Sequence, residues 1–374
     1  MNNKKILILA YTNLNFGDDM FIYTLCKKFP NNKFVLYANK EYRKKFADIV
    51  NLEIKKKSFF NKKFNSLLNH FPTLYKYNIN TMPYSAVVYV IGGLFDEDDL
   101  WKRQVANNGL LKMKNLIWQN CFDSKTPFYL LGCNLTRVLT QKYIDELAYL
   151  FKDLRDICFR DLYSYNKMSF LDNVRHAPDI VFNYDCKVTS KLDMVVISVW
   201  GPLTRTNLFP QWKWAEKLWG YYKKFIIDIT NEFGKLGKRV VFLALCENEG
   251  DLDACNIIKK EGNLNVDIIT YQGNLDEIIK IFEDAYFVVG TRFHSIVMAI
   301  NSNCAFYPIV YENKTLQLLN DIEYDSNFSH IEQPDTYDVT NVIHNYKVGN
   351  IISSESIKRE ALKQFQVLKE DISK

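Results

Sequence analysis

Short apolar runs and longer runs with helical spacing alternate along almost the whole chain, and this most restricts the fold. KILILA (5–10), KFVLY (33–37), AVVYVI (86–91), PFYLLG (127–132) and DICFR (156–160) read as strands. Between them, 18–29, 101–122 and 141–153 have helix-period patterning. Strands without polar alternation need cover on both faces, and strands separated by helices run parallel. The pattern lapses into polar and turn residues in NYDCKVTSKLD (183–193). It resumes with strand-like MVVISVW (194–200), RVVFLAL (239–245), VDIITY (266–271), YFVVG (286–290) and CAFYPIV (304–310). A long helical run is expected over 211–237, and another over 274–285 with Asn274 as N-cap. The expected fold class is α/β: a Rossmann-like domain over 1–187 and a second over 188–352. An amphipathic helix over 353–374 follows, with a return to the first domain as one option. Their parallel sheets are expected to face each other across a cleft, because open α/β sheets bind ligands beyond the carboxyl ends of their strands.

Composition narrows the partners. A net charge of +5 on 374 residues is too mild and too scattered for a nucleic-acid binder. Eight cysteines without a CxxC pair read as free thiols in a reducing compartment. The first apolar stretch, 6–10, is too short for a signal or a membrane span, so a cytoplasmic location is expected. No spacing of His, Cys or acidic residues calls for a metal, and none is expected.

Candidate chemistry lies in strand-to-helix loops. In GTRFHS (290–295), Arg292 and His294 stand two residues apart where a helix begins. A helix start offers unpaired N–H groups to an anion. Arg292 adds a planar cation, and His294 a proton donor that works near neutral pH. The plainer alternative is that Arg292 pairs with an acid such as Asp284 while His294 caps the helix. In YTNLNFGDDM (11–20), Gly17 suits a tight turn near a ligand, and Asn13, Asn15, Asp18 and Asp19 supply short polar groups. Asp18 orients or deprotonates a hydroxyl in the functional reading, or caps a helix in the plain one. In VIGGLFDED (90–98), Gly92 and Gly93 allow close backbone approach, and the acidic run Asp96 to Asp99 reads as a solvated helix start, with a metal site as the lesser alternative. Arg160 and Asp161, following a strand, read as an ion pair.

Taken in order, these pieces resemble the polysaccharide pyruvyl transferase family. The resemblance rests on Asn15-Phe16-Gly17-Asp18, Gly92-Gly93, Arg160-Asp161 with Ser164, Pro178-Asp179, Gly290-Thr291-Arg292-Phe293-His294 with Ala299, and Tyr311-Glu312-Asn313-Lys314. It implies a GT-B-like architecture. It also implies transfer of a pyruvyl group from phosphoenolpyruvate, a co-substrate and not a cofactor, to a sugar as a ketal. In that chemistry Arg292, Phe293, His294, Ser295, Arg205 and Lys314 would bind the donor, and Asn15, Gly17, Asp18, Gly92 and Gly93 the acceptor. His294 would protonate C3 of the donor, Arg292 would neutralise the leaving phosphate, and Asp18 would take the hydroxyl proton. One departure stands out. Relatives often carry an arginine just after the first strand of the second domain, where this chain has Trp200, with Arg205 five residues on.

The segment 53–78 interleaves lysines with Phe59, Phe60, Phe64, Leu67, Leu68 and Phe71. It reads either as a surface helix packed on the first domain or as a peripheral contact with the inner face of an anionic membrane, where a lipid-linked oligosaccharide acceptor would reside. The acceptor of a bacterial capsule, exopolysaccharide or cell wall is the expected destination. The rival activity is a GT-B glycosyltransferase using a nucleotide sugar, whose diphosphate also wants a helix start and an arginine.

Overall fold

The computed structural model describes residues 5–56, 84–93, 95–97, 126–138, 140–187, 189–202, 213–349 and 351–373. Among these residues the chain divides into two units. One comprises 1–12, 18–183 and 359–374; the other comprises 13–17 and 184–358.

The first unit is built on a parallel sheet. Its strands in chain order are β1 (Lys5–Ala10), β2 (Lys33–Ala38), β3 (Leu52–Lys56), β4 (Tyr84–Val90), then β6 (Phe128–Cys133), β8 (Asp156–Phe159) and β9 (Val174–His176). The spatial order is β3-β2-β1-β4-β6-β8-β9. The winding therefore reverses between β1 and β4. Two short strands, β5 (Phe95–Asp96) and β7 (Leu135–Arg137), pair beside it. One face of the sheet packs Leu7, Val35, Val87, Leu130 and Ile157 against Tyr143, Ile144, Leu147 and Phe151 of the helix Gln141–Phe151. Each such buried aliphatic side chain contributes roughly 1.5–3 kcal/mol.

The chain's C-terminal end joins this unit. The expected single helix is instead two, Ser354–Ala361 and Gln366–Ile372, separated by a 3-10 turn, Leu362–Phe365. The break has a polar cause. The tightened turn buries Gln364, whose Nε2 donates to the Ala177 carbonyl at 2.7 Å, while its Oε1 accepts from the Gly132 N–H at 3.1 Å. Phe365 packs edge-on to Phe29, and Asp371 accepts from Tyr129 and Arg155.

The second unit repeats the scheme with β10 (Met194–Ser198), β11 (Arg239–Ala244), β12 (Asp267–Thr270), β13 (Phe287–Gly290), β14 (Ala305–Val310) and β15 (Ser329–His330). The order is β12-β11-β10-β13-β14-β15, all parallel, and the winding reverses between β10 and β13. Ser198 pairs with Gly290, so these two strands end level and their exit loops are neighbours. Strands β10 and β14 are buried along their whole length, as both-face cover requires. The helix Lys213–Lys235 supplies Phe225, Ile226, Ile229 and Phe233 to the core. Asn274 caps the helix Leu275–Asp284 as expected, accepting from the Glu277 N–H at 3.2 Å.

Residues 13–17 belong with this second unit for a hydrophobic reason. Phe16 is fully buried, edge-on to Tyr271 and tilted against Phe282, and its N–H donates to the Leu245 carbonyl at 3.1 Å. No helix among the described residues is long and apolar enough to cross a membrane. The segment expected over 53–78 as a surface helix or membrane contact begins instead as strand, since 53–56 belong to β3 and pair with β2; its remainder, within 57–83, and the helix expected over 101–122 lie outside the described residues.

Candidate functional site

The exit loops of β10, β11 and β13 meet on one buried carboxylate. Asp251, the first residue of the helix Asp251–Glu261, is fully buried. One of its oxygens accepts from the Gly201 N–H at 3.0 Å, and the other from the Cys246 N–H at 2.9 Å. Both accept from Arg292, through Nε at 2.9 Å and through Nη2. Arg292 also donates from Nη1 to Glu249 at 2.5 Å. Burial raises the Asp251 carboxyl, opposed by the Arg292 charge and its hydrogen bonds. Burial works against the Arg292 charge, but Asp251 and Glu249 outweigh it and hold the guanidinium well above its ordinary value. Asp284, expected as an alternative partner for Arg292, instead pairs with Lys280 one helical turn away.

Arg292 is the N-cap of the helix Phe293–Asn301, in extended backbone and with no capping bond from its side chain. Its carbonyl accepts from both the N–H and the hydroxyl of Ser295, at 2.9 and 2.5 Å. The Ser295 hydroxyl is thus committed inside the turn. Phe293 is buried, with the His294 ring edge-on at 5.0 Å. The imidazole of His294 lies directly against Gly17, occupying the space where a Cβ would stand. This loop is held in turn by Asn248, whose amide donates to the Asn13 carbonyl at 2.8 Å.

An aromatic group walls this region. Trp200 is 1% exposed and packs on Trp214, Tyr222 and Tyr311. The Tyr222 hydroxyl accepts from the Trp200 N–H at 3.0 Å and shares a 2.9 Å bond with the Thr291 hydroxyl, tying the β10 and β13 exits together. Trp200 is therefore a wall and not a surface ligand. Tyr311 lies between two cations, 5.9 Å from the Arg292 guanidinium carbon and 5.6 Å from Lys314 Nζ. Lys314 is paired with Glu312. Arg205 lies outside the described residues.

The first unit has its own polar node where its strands end. Arg160 donates to Asp179 at 2.9 Å and to Asn134 at 2.7 Å, with both carboxylate and guanidinium nearly inaccessible. A Cβ on Gly92 would stand 3.3 Å from both Arg160 Nη atoms, so this glycine rests on the guanidinium. The expected Arg160–Asp161 pair does not form. Asp161 instead caps the helix Leu162–Met168, accepting from the Ser164 N–H at 2.7 Å, and burial raises its carboxyl. Nor is Asp18 a cap. Asn15 precedes the helix Phe16–Lys28 and accepts from the Gly17 N–H at 3.0 Å, leaving Asp18 in the first turn. The acidic run is likewise not a solvated helix start: Phe95–Asp96 is a strand. Glu97 is buried, accepting from the Thr140 N–H and hydroxyl at 2.7 and 2.5 Å. Residues 98 and 99 lie outside the described residues.

Asp251, Glu249, Tyr222 and Asn134 had no signal in the sequence, because each acts on a residue 26 to 69 positions away or across loops. Among the described residues no group of three or more His, Cys, Asp or Glu is placed to hold a metal.

Residues 15–313 match the sequence profile of the polysaccharide pyruvyl transferase family. No curated protein matches the chain by sequence. Several solved structures are similar over nearly the full length. UDP-GlcNAc 2-epimerase from Methanocaldococcus jannaschii, solved with UDP-GlcNAc and UDP, is 10% identical, with a TM-score of 0.56 over 98% of this chain and 99% of that one. Anabaena HepE, solved with UDP and glucose, is 10% identical, with a TM-score of 0.52 over 99% of each chain. UDP-N-acetylglucosamine 2-epimerase from Rickettsia bellii is 9% identical, with a TM-score of 0.53 over 99% of this chain and 96% of that one. At this identity the likeness shows the fold alone, a GT-B type with two parallel-sheet α/β units.

Proposed function

The chain belongs to the polysaccharide pyruvyl transferase family, and from that premise we propose that it transfers a pyruvyl group from phosphoenolpyruvate to a sugar. The acceptor is a bacterial surface polysaccharide or its lipid-linked precursor, and the products are a ketal and phosphate. The observation that carries this reading is the pairing of Arg292 and His294 at the start of the helix Phe293–Asn301, where the second unit's sheet reverses its winding.

Phosphoenolpyruvate is a carboxylate and a phosphate on an enol. Arg292, Lys314 and the N–H groups of the first helical turn, with Phe293 and Ser295 shaping it, supply the matching charge. His294 protonates C3, giving an oxocarbenium-like centre at C2. A sugar hydroxyl adds to C2, phosphate leaves, and a second hydroxyl closes the ketal. Two hydroxyl protons are released in all: one balances the proton delivered to C3 and the other leaves with phosphate. Asp18 accepts a hydroxyl proton, and Asn15, Gly17, Gly92 and Gly93 form the acceptor loops. Because Ser295 and Asn15 spend their side chains on the local turn and cap, their part is to shape backbone. The enzyme acts in the cytoplasm, and 53–78 brings it to the membrane surface; flotation with anionic vesicles tests that contact.

The rival is transfer from a nucleotide sugar, favoured by the fold shared with HepE solved with UDP and glucose. A thermal-shift titration separates them, using phosphoenolpyruvate, UDP-sugars and CMP-sugars on wild type and Arg292→Ala. A phosphoenolpyruvate shift that disappears in the variant is expected. A shift with a nucleotide sugar alone would overturn pyruvyl transfer in favour of sugar transfer.

A further inference from the structure

Two strands of the first unit's sheet run on past its carboxyl edge. β4 leads through Gly92 and Gly93 into β5, β6 leads through Asn134 into β7, and β5 and β7 pair as a short parallel ledge. β4 is also one of the two strands between which the winding reverses, so the ledge borders the place where open α/β sheets take ligands. The ledge is irregular at one position. Phe95 pairs with Leu135 and Asp96 with Arg137, which leaves Thr136 as an extra residue with no opposite number. A bulge of this kind bends its strand and re-aims a side chain. The residues on either side are fixed. Phe95 and Leu135 are buried, Phe95 packs edge-on to Phe151, and the Leu135 N–H donates to the Ser164 hydroxyl at 2.7 Å. Asn134 is held through its Oδ1 by Arg160 at 2.7 Å.

We infer that Thr136 reads the acceptor: its hydroxyl hydrogen-bonds a hydroxyl of the sugar. This rests on the reading of Gly92 and Gly93 as an acceptor loop. A Cβ on Gly93 would stand 3.1 Å from Thr136 Oγ1 and 3.8 Å from Asn134 Oδ1, so the Thr136 hydroxyl lies on bare backbone. Gly93 is exposed and Thr136 half-buried, so solvent reaches the pair and a sugar can do the same. The hydroxyls of Ser164 and Thr140 nearby in the fold are spent on the Leu135 N–H and on Glu97. The Thr136 hydroxyl makes no hydrogen bond to the described residues. A threonine hydroxyl both donates and accepts, so it can pair with a sugar hydroxyl in either sense. The glycine beside it lets a sugar ring approach the backbone closely.

One hydrogen bond between neutral groups changes affinity by about threefold to tenfold. The test is a saturation-transfer NMR titration of the full chain with methyl β-galactoside, methyl β-glucoside and methyl α-mannoside. Phosphoenolpyruvate and UDP-glucose are titrated separately. Wild type is compared with Thr136→Val, Thr136→Ala and Thr136→Ser. Valine keeps the shape of threonine without the hydroxyl, alanine removes the hydroxyl without adding apolar bulk, and serine restores it. The expected result is a glycoside Kd about threefold to tenfold higher in Thr136→Val and Thr136→Ala, and near wild type in Thr136→Ser. Tm and the Kd for the donor should stay unchanged in all three. The same glycoside pattern without phosphoenolpyruvate binding would uphold Thr136 and reject the pyruvyl donor. Unchanged glycoside binding in the valine and alanine variants, or an equal loss in Thr136→Ser, would overturn the assignment. So would an equal weakening of glycoside and donor, or the absence of glycoside binding to wild type.

Discussion

The imidazole of His294 lies on the bare Cα of Gly17, with its Nδ1, Cε1 and Cγ filling the volume that any side chain at position 17 would need. The two residues are 277 apart in sequence (294 − 17), and both belong to the second unit. Gly17→Ala therefore displaces the ring. Overpacking of this kind costs about 1–3 kcal/mol, and with His294 as the proposed proton donor its misplacement loses about 100-fold in rate. The expected outcome is a kcat fall of that order with a modest drop in Tm. Gly17→Ala combined with His294→Ala should recover much of the Tm, because the added methyl then has room. A normal kcat in Gly17→Ala would show that the ring position is not needed for turnover.

Asp251→Asn should be the more damaging of the two changes at the Arg292 cluster. It removes the charge that faces Nε and Nη2 and places an amide against N–H donors from Gly201, Cys246 and Arg292. Breaking a buried pair in this way costs about 3–5 kcal/mol. Urea unfolding should show that loss, and a smaller one for Glu249→Gln, because Asp251 meets Arg292 on Nε and Nη2 and two backbone N–H groups as well, whereas Glu249 meets Arg292 on Nη1.

Arg160→Lys keeps a positive charge but cannot reach Asp179 and Asn134 with one planar fork while supporting Gly92. If Gly92 and Gly93 form the acceptor loop, KM for the sugar should rise about fivefold, a loss of about 1 kcal/mol, while KM for the donor stays put. Initial rates with each substrate varied in turn decide this. An equal rise in both constants would count against the acceptor assignment.

The stability of the protein should carry a histidine signature. Burial pushes His176 below its usual 6.5; Glu360 opposes this and Lys363 adds to it. Its Nε2 has no hydrogen-bond partner among the described residues. The folded state thus prefers neutral His176, whereas the unfolded chain takes up a proton near pH 6.5. The contribution is fully present above pH 6.5 and is lost as pH falls through the lower folded value. Urea midpoints should drop between about pH 7.5 and about pH 5, and His176→Gln should shrink that difference. An unchanged difference would assign the pH dependence to other groups.

Much of the architecture was legible in the sequence because strand burial is written in consecutive residues. KILILA, MVVISVW and YFVVG each contain a strand, and Asn274 announced its helix by a local cap. Local reading failed where a side chain preferred a distant partner. Asp161 looked paired to its neighbour Arg160 but turned to Ser164, while Arg160 reached Asp179 and Asn134. The amphipathic pattern of the C-terminal end predicted one helix, yet Gln364 broke it in two to satisfy backbone groups at 132 and 177. Trp200 stood where relatives often carry an arginine, and only its aromatic neighbours show that it is a wall of the site.

The sequence by itself determined the strand–helix alternation, the loops that carry polar residues, and the order of motifs that places the chain in its family. These are local properties, set by periodicity and by backbone preference within a few residues. Only the tertiary structure decided that Asp251 would join three loops, that Glu249 would share Arg292, and that residues 13–17 would leave the unit on either side of them to bury Phe16 against Tyr271 and Phe282. Those outcomes depend on which buried charges find partners and which aromatic surfaces meet once the sheets are wound, and no short window along the chain contains Arg292 with Asp251 or Glu249, or Phe16 with Tyr271 or Phe282.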